Sequence, residues 1–255
     1  MSVARKTLKT LIGTYPHTEH LKSGMLRSER YDFSFTEIVP VWDGFKGMIR
    51  DDLYEVSEMA VVTYLLSKAH GSEIVLLPAA MIGRFQHPFA VYNGDQGPMT
   101  PADLKGKRVG VRSFTTTTGT WIRGILANDY GVDLNSIDWI TFEDPHVADF
   151  RDTTTRAPEG KRIMQMLLDG ELDAVLGESS NVKEEPEMAS EVYRILAEGK
   201  RLAGPHAEPD PVPFGIEANR ASLAMLAEFA FQQGLLPHRV TVDDMFAETR
   251  LLFGE

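Results

Sequence analysis

The sequence predicts an α/β protein of two lobes, each built on a mixed, mostly parallel sheet flanked by helices. Short strand patterns alternate with helical patterns along the chain, as parallel sheets with crossover helices require. A turn-rich segment at 93–98 separates two sets of such units, and four prolines within 204–213 indicate an extended crossing between lobes. We therefore expect lobe I to comprise residues 1–93 and 211–255, and lobe II to comprise residues 94–210.

Lobe I is predicted to alternate strands with helices from the first residues onward. Alternating or continuous apolar runs indicate the strands, of which 73–77 (EIVLL) is expected to be buried. Ser57 is a plausible N-cap for a helix that ends at a His70–Gly71 stop signal. The predicted strands are 7–13, 33–39, 53–56 and 73–77, and the predicted helices are one ending near 27, 42–50 and 59–69.

Lobe II is predicted to follow the same alternation. Gly131 and Gly170 stop two of its helices, because glycine adopts the left-handed conformation that ends a helix. The predicted strands are 108–112, one within 136–142, 173–176 and 192–196, and the predicted helices are 117–130 and 163–168. Two further helices, 220–233 and 242–252, close the chain, and we expect them to pack back on lobe I.

The composition excludes several classes of protein. The formal net charge of −11 argues against nucleic acid or an anionic membrane surface as the main partner, although a local pocket can still be positive. The absence of cysteine excludes disulfides, zinc–thiolate sites and cysteine nucleophiles. Lys9 and Thr10 interrupt the apolar run that a signal peptide needs, and no stretch reaches the length of a membrane span. We therefore expect a cytoplasmic protein.

Motifs of the common nucleotide-dependent and hydrolytic enzymes are missing from the sequence. It contains no P-loop, no G-x-G-x-x-G after a strand, no G-x-S-x-G and no H-E-x-x-H. His17 and His20 have the spacing of a metal pair on one helical face, but no third ligand is evident. We predict neither a metal site nor an organic cofactor.

A small anion is the ligand that two strand-to-helix turns of the sequence predict. Free N–H groups give the start of a helix a partial positive charge, and an arginine with several hydroxyls there can clamp a carboxylate. The alternative is that the threonine run only caps the helix and that the arginine is solvated. The candidate residues are Ser57 and Glu58 after one strand, and Arg112, Ser113, Thr115, Thr117 and Thr118 after the other.

Five segments carry a family resemblance. "ADLKGKRVGV" (102–111) is similar to the second lobe of type 2 periplasmic binding proteins. Four others resemble 4,5-dihydroxyphthalate decarboxylase and its relatives: "YEVSEMAVVTYLLSKAHG" (54–71), "GRFQHPFAVYN" (83–93), "TWIRGILANDYGVDLNSIDWI" (120–140) and "MLLDGELDAVL" (166–176). The resemblance implies a cytoplasmic enzyme on a solute-binding clamshell, which holds its ligand in the cleft between lobes and removes one carboxylate from a dihydroxylated aromatic diacid.

The resemblance also suggests which further residues enter the cleft. Arg84 would be a second carboxylate partner, and His87 would be a proton donor or a partner of a phenol, unless this segment is only a structural turn with a surface histidine. First-strand loops open into the cleft in this fold, which makes His17 a candidate. Glu178 follows a predicted strand and could act as an acid or hold a substrate hydroxyl; a solvated carboxylate is the alternative.

The function that these observations predict is decarboxylation of a hydroxylated, phthalate-like aromatic carboxylate. His87, His17 or Glu58 would supply or relay the proton, and Arg112 or Arg84 would hold a retained carboxylate. A non-catalytic solute-binding protein of an ABC-type transporter, or another lyase on the same scaffold, remains the alternative. The sequence leaves open whether the chain forms a homo-oligomer.

Overall fold

A computed structural model of the chain describes residues 5–83, 85–177 and 216–253. Contacts divide the chain into two units. Unit 1 is Met1–Ile74 together with His146–Phe150, and unit 2 is Val75–Pro145 together with Arg151–Glu255. The boundaries expected from the sequence, after residues 93 and 210, differ from this division, and the second of them lies outside the described residues.

Unit 1 contains a parallel sheet with the strand order β2-β1-β3. Its core forms where Leu11 at the end of β1 packs against Val41 and Phe45, all three of them buried. The strands are β1 (Lys6–Leu11), β2 (Tyr31–Phe35) and β3 (Val56–Ser57), and the helices are α1 (Pro16–Lys22), α2 (Phe45–Asp51) and α3 (Val61–Ala69).

Unit 2 contains a mixed sheet with the order β4-β8-β5-β6-β7, in which only the β4–β8 pair is antiparallel within the described residues. The predicted α/β class with mostly parallel sheets is thereby confirmed. The strands are β4 (Ala90–Tyr92), β5 (Arg108–Val111), β6 (Asp138–Thr141), β7 (Thr155–Arg156) and β8 (Ala174–Leu176). The helices are α4 (Thr117–Asn128), α5 (Ile163–Leu168), α6 (Ile216–Gln232), α7 (Val242–Met245) and α8 (Ala247–Phe253).

Strand β5 lies at the centre of unit 2 and separates two apolar clusters. Val109 and Val111 are fully buried and belong to the cluster that includes Ile122 of α4. Gly110 lies on the opposite face of the sheet, because successive residues of a strand face opposite sides of a sheet. A Cβ atom at Gly110 would lie 2.6 Å from the Leu172 side chain, so only glycine lets the α5 side pack this closely.

Two local predictions for unit 1 and its border are wrong. Helix α3 begins at Val61 with Ala60 as its N-cap, so Ser57 is not a helix cap. Ser57 instead pairs with Leu11 in the sheet. Residues 73–77 form no strand, and Val75 and Leu77 are exposed rather than buried. The predicted strand at 192–196 and the crossing at 204–213 lie outside the described residues.

The C-terminal helix α6 packs on α4 within unit 2, which corrects the expectation that it returns to lobe I. The Trp121 and Phe229 rings meet edge to face with centroids 5.6 Å apart. Gly124 makes this close approach possible, because a Cβ atom there would lie 2.0 Å from the Phe229 ring. Asn128 of α4 also donates a hydrogen bond of 3.1 Å to Gln232.

We expect Gly124→Ala to destabilise the protein by about 1–3 kcal/mol, since overpacking a tight contact costs this much. Gly94→Ala is the matched control: a Cβ atom there meets nothing within 4 Å. The control should change the free energy of unfolding by less than about 0.5 kcal/mol. Urea unfolding of both variants measures the difference, and equal stabilities would contradict this account of the α4–α6 contact.

Candidate functional site

The carboxyl edge of the unit 2 sheet brings several sequence-predicted residues together. Val111, the last residue of β5, pairs with Thr141 of β6 and with Leu176 of β8. The carboxyl ends of these parallel strands therefore meet at one edge, where open α/β sheets bind ligands. Residues 112–118, which we call the binding turn, follow β5 at this edge. Glu178, a predicted site residue, comes shortly after β8 and lies outside the described residues.

The binding turn carries the hydroxyl groups of one serine and four threonines. Ser113 and Thr115 are each 3% exposed, and their oxygens lie 3.3 Å apart. Thr116 is the N-cap of α4 but its side chain forms no capping hydrogen bond within the described structure. Thr117 and Thr118 are half-buried in the first helical turn. The N-cap residue itself therefore gives α4 no side-chain cap, and the roles of Thr117 and Thr118 stay a prediction.

Arg112 is tied to the segment that follows β6. Its main-chain carbonyl accepts hydrogen bonds from the N–H groups of Phe142 and Glu143, at 3.0 and 2.8 Å. Its side chain is 24% exposed, and its Nε lies 3.8 Å from the Glu143 carboxylate. A long ion pair with a partly exposed partner is weak. A ligand carboxylate with better geometry can therefore compete with Glu143 for this guanidinium.

Arg123 lies beneath the binding turn, a role that the sequence did not reveal. It is fully buried, and its Nη2 donates to the Phe114 carbonyl at 2.6 Å while its Nε donates to Gln233 at 2.8 Å. Burial lowers the pKa of Arg123 to about 9, which leaves the guanidinium charged at neutral pH. The available signal was an arginine inside the apolar run 121–126 (WIRGIL).

His87 lies at the same edge of unit 2 as the binding turn. It begins a short 3-10 helix, His87–Phe89, that leads directly into β4. Ala90 of β4 pairs with Leu176, and the Gly177 N–H donates to the Phe89 carbonyl at 2.7 Å. The His87 side chain is exposed, so a surface histidine and a proton donor both remain compatible with its position. Arg84, predicted to act with it, lies outside the described residues.

Glu58 is the centre of a polar cluster in unit 1. Its side chain is 7% exposed, and its two oxygens accept hydrogen bonds from the Gly13 N–H at 2.8 Å and the Tyr15 hydroxyl at 2.7 Å. The Tyr15 ring stacks on His17, with centroids 5.4 Å apart. The structure thus brings His17 and Glu58 together through Tyr15. We call Gly13, Tyr15, His17 and Glu58 the Glu58 cluster.

The loop after β1 is shaped to hold this cluster. A Cβ atom at Gly13 would lie 2.4 Å from the Tyr15 ring. The ring can therefore pack against this position only because residue 13 is a glycine. The Thr18 hydroxyl donates to the Gly13 carbonyl and accepts from the Tyr15 N–H, both at 2.8 Å. Ser57 donates its hydroxyl to the Glu58 carbonyl at 2.7 Å. The sequence suggested His17 and Glu58 separately but gave no sign that Tyr15 links them.

Two further properties concern only the residues that the structure describes. Within 5–83, 85–177 and 216–253, no group of three or more His, Cys, Asp or Glu side chains is arranged to hold a metal ion. Over the same ranges, no helix combines the length and the apolar character that crossing a bilayer requires.

The fold is that of type 2 periplasmic binding proteins. The structure matches the alkanesulfonate-binding protein SsuA from Xanthomonas axonopodis pv. citri, solved bound to MOPS, with a TM-score of 0.57. The match covers 96% of this chain and 99% of that protein, at 14% sequence identity. At this level of identity the likeness establishes the fold and nothing further.

Two curated proteins match the chain over about two thirds of its length. The chain is 30% identical over 185 residues to 4,5-dihydroxyphthalate decarboxylase of Comamonas testosteroni, a match that covers 69% of this chain and 56% of the relative. It is 27% identical over 180 residues to the enzyme of the same name from Pseudomonas putida, which covers 67% and 69%. The chain thus spans about half the length of the first relative. No protein-family model matches the chain. The predicted resemblance to 4,5-dihydroxyphthalate decarboxylase and its relatives is thereby confirmed.

Tyr15→Phe should destabilise unit 1, because Glu58 then loses the hydrogen bond that the Tyr15 hydroxyl donates. A hydrogen bond to a charged group contributes about 1.5–3 kcal/mol, and the half-buried position of Tyr15 favours the lower end. Tyr130→Phe is the control, since Tyr130 is 51% exposed. Urea unfolding compares the two variants, and a Tyr15→Phe protein as stable as the control would show that the Tyr15–Glu58 bond contributes nothing.

Proposed function

We propose that the chain is a carboxy-lyase that removes one carboxylate from a hydroxylated, phthalate-like aromatic acid. The observation that carries this proposal is its relationship with two 4,5-dihydroxyphthalate decarboxylases over about two thirds of its length. The binding turn supports it, because its position suits the capture of a carboxylate. The Glu58 cluster supports it as well, because it contains groups that can exchange protons.

The binding turn offers an anion two kinds of positive partner. The start of the twelve-residue helix α4 carries a partial positive charge from its aligned peptide dipoles. Arg112 adds a full charge and can donate two parallel hydrogen bonds to a carboxylate. The whole protein is acidic, with a formal net charge of −11. A locally positive turn on such a protein selects small anions that can reach it. We assign it to the carboxylate that the substrate retains.

The chemistry of the proposed reaction balances without a redox partner. A ring hydroxyl para to the departing carboxylate gives up its proton and pushes electrons into the ring, while the carbon that bears the carboxylate accepts a proton. The resulting dienone cleaves its bond to the carboxylate, CO2 leaves, and the bonding electrons restore the aromatic ring as a phenolate, which takes back the proton that the hydroxyl gave up. The net change is one carboxylate and one proton converted to C–H and CO2.

We assign the proton transfers of this reaction to the Glu58 cluster. Glu58 accepts hydrogen bonds at both oxygens, which suits a group that receives or orients a proton rather than one that donates it. The neighbouring groups that can relay a proton are the Tyr15 hydroxyl and the imidazole of His17, whose ring stacks on the Tyr15 ring. His87 of unit 2 is the alternative donor, because its side chain is exposed.

Purified protein should release CO2 from 4,5-dihydroxyphthalate, and Arg112→Ala should lower kcat/KM by about 10- to 100-fold, mainly through KM. The reason is that a charge-assisted hydrogen bond to a retained carboxylate contributes about 1.5–3 kcal/mol. Arg108→Ala is the matched control, because Arg108 begins β5 at the opposite end of the strand from the binding turn. CO2 release is measured with carboxyl-labelled substrate.

Two results would contradict the proposal. If the protein binds the diacid but releases no CO2 from any hydroxylated phthalate or benzoate, a solute-binding role gains support, which the fold shared with an alkanesulfonate-binding protein also allows. If Arg112→Ala and Arg108→Ala have equal kinetics, the assignment of the carboxylate to the binding turn is wrong.

A further inference from the structure

Arg123 is a buried cation without a hydrogen-bonded carboxylate partner among the described residues. Its side chain is 0% exposed, and its Nη1 has no hydrogen-bond partner in this part of the chain. Asp152 contributes only a longer-range attraction. Burying an arginine in this way is costly, because its charge leaves water without forming a close ion pair.

The contacts of Arg123 converge on the middle of the binding turn. Its Nη2 donates to the Phe114 carbonyl at 2.6 Å, and its Cζ lies 3.8 Å from the centre of the Phe114 ring. Phe114 is thus held by both its main chain and its side chain. Because Phe114 stands between Ser113 and Thr115, holding it restrains the backbone on both sides of it.

The far side of the guanidinium is anchored to the helices. Its Nε donates to Gln233 at 2.8 Å, and the Gln233 amide donates in turn to the Thr120 carbonyl at 3.0 Å. The centre of the Trp139 ring lies 5.6 Å from the Cζ atom of Arg123. Arg123 therefore joins the binding turn to α4 and to the end of α6.

The Nη1 group of Arg123 lies beside the first turn of α4. An ideal Cβ atom at Gly119 would lie 3.0 Å from Nη1 and 2.8 Å from the Thr116 hydroxyl, which places both groups close to the same backbone position. The charge of Arg123 thus adds to the partial positive charge of the helix start. Gly119 leaves room for this arrangement.

We infer that Arg123 is a positioning residue for anion binding: its buried guanidinium holds the binding turn in place and supplies positive charge from beneath, without touching the ligand. This inference rests on the proposed function where it takes the ligand to be a carboxylate substrate. Arg123 then raises the affinity for the anion, and other residues carry out the chemical step.

Three variants test the charge and the hydrogen bonds separately. Arg123→Met removes both, Arg123→Lys keeps the charge, and Arg108→Met removes an exposed charge at the other end of β5. Calorimetry with phthalate as the dianion and benzoate as the monoanion gives the affinities, because neither probe carries the ring hydroxyl that the proposed reaction needs. Arg123→Met should weaken dianion binding at least tenfold and benzoate binding less, Arg123→Lys should recover most of the affinity, and Arg108→Met should bind like the parent protein.

A second readout does not depend on ligand binding. Amide hydrogen exchange at 112–118 should be faster in Arg123→Met, and to a smaller degree in Arg123→Lys, with exchange at 163–176 unchanged. If Arg123→Met does not fold, Arg123→Lys alone decides between faster and unchanged exchange. Unchanged exchange at 112–118, or dianion affinity equal to that of the parent, overturns the inference.

The two readouts also separate this inference from the proposed function. A parent protein that binds neither probe and releases no CO2 from 4,5-dihydroxyphthalate contradicts the proposed function, and the exchange rates then decide whether Arg123 holds the turn. A parent protein that binds phthalate but releases no CO2 from 4,5-dihydroxyphthalate leaves the affinity comparison intact, and only the decarboxylase assignment fails.

Discussion

The parallel pairing of β5 with β6 and β8 is the constraint on which the candidate site of unit 2 depends. It places the ends of three strands at one edge and so brings the binding turn beside Glu143 and His87. The register is fixed by the alternation of buried faces. Shifting β5 by one residue would turn Val109 and Val111 towards the side where Gly110 alone fits.

Charge is distributed so that an acidic protein presents a positive turn. Among the described residues, the Glu143 carboxylate lies 3.8 Å from the Arg112 Nε. Arg123 raises the local potential further, and it does so from a position that solvent does not reach. Because buried charges are screened less than exposed ones, its influence on a bound anion should persist at physiological salt.

Local patterns were sufficient to predict much of unit 2. Helix α5 was predicted at its observed bounds, and α4 and β8 within two residues of theirs, because glycine stops and apolar periodicity are properties of short segments. Ser57 was misassigned because its pairing with Leu11 joins strands far apart in sequence. The same limitation applies to the contact between Tyr15 and Glu58, whose positions are 43 residues apart. The packing of α6 on α4 requires a glycine at position 124, because a Cβ atom there would collide with Phe229. That requirement becomes visible only in the folded structure.

The central claim is that the start of α4 and Arg112 receive a carboxylate of the ligand. A crystal structure of the protein with phthalate, a dianion without the ring hydroxyl that the proposed reaction needs, tests it most directly. The account predicts a ligand carboxylate oxygen about 2.7–3.2 Å from a main-chain N–H of the first turn of α4 or from the Arg112 guanidinium. A ligand whose carboxylates are bound elsewhere, with the Arg112–Glu143 pair undisturbed, would contradict it.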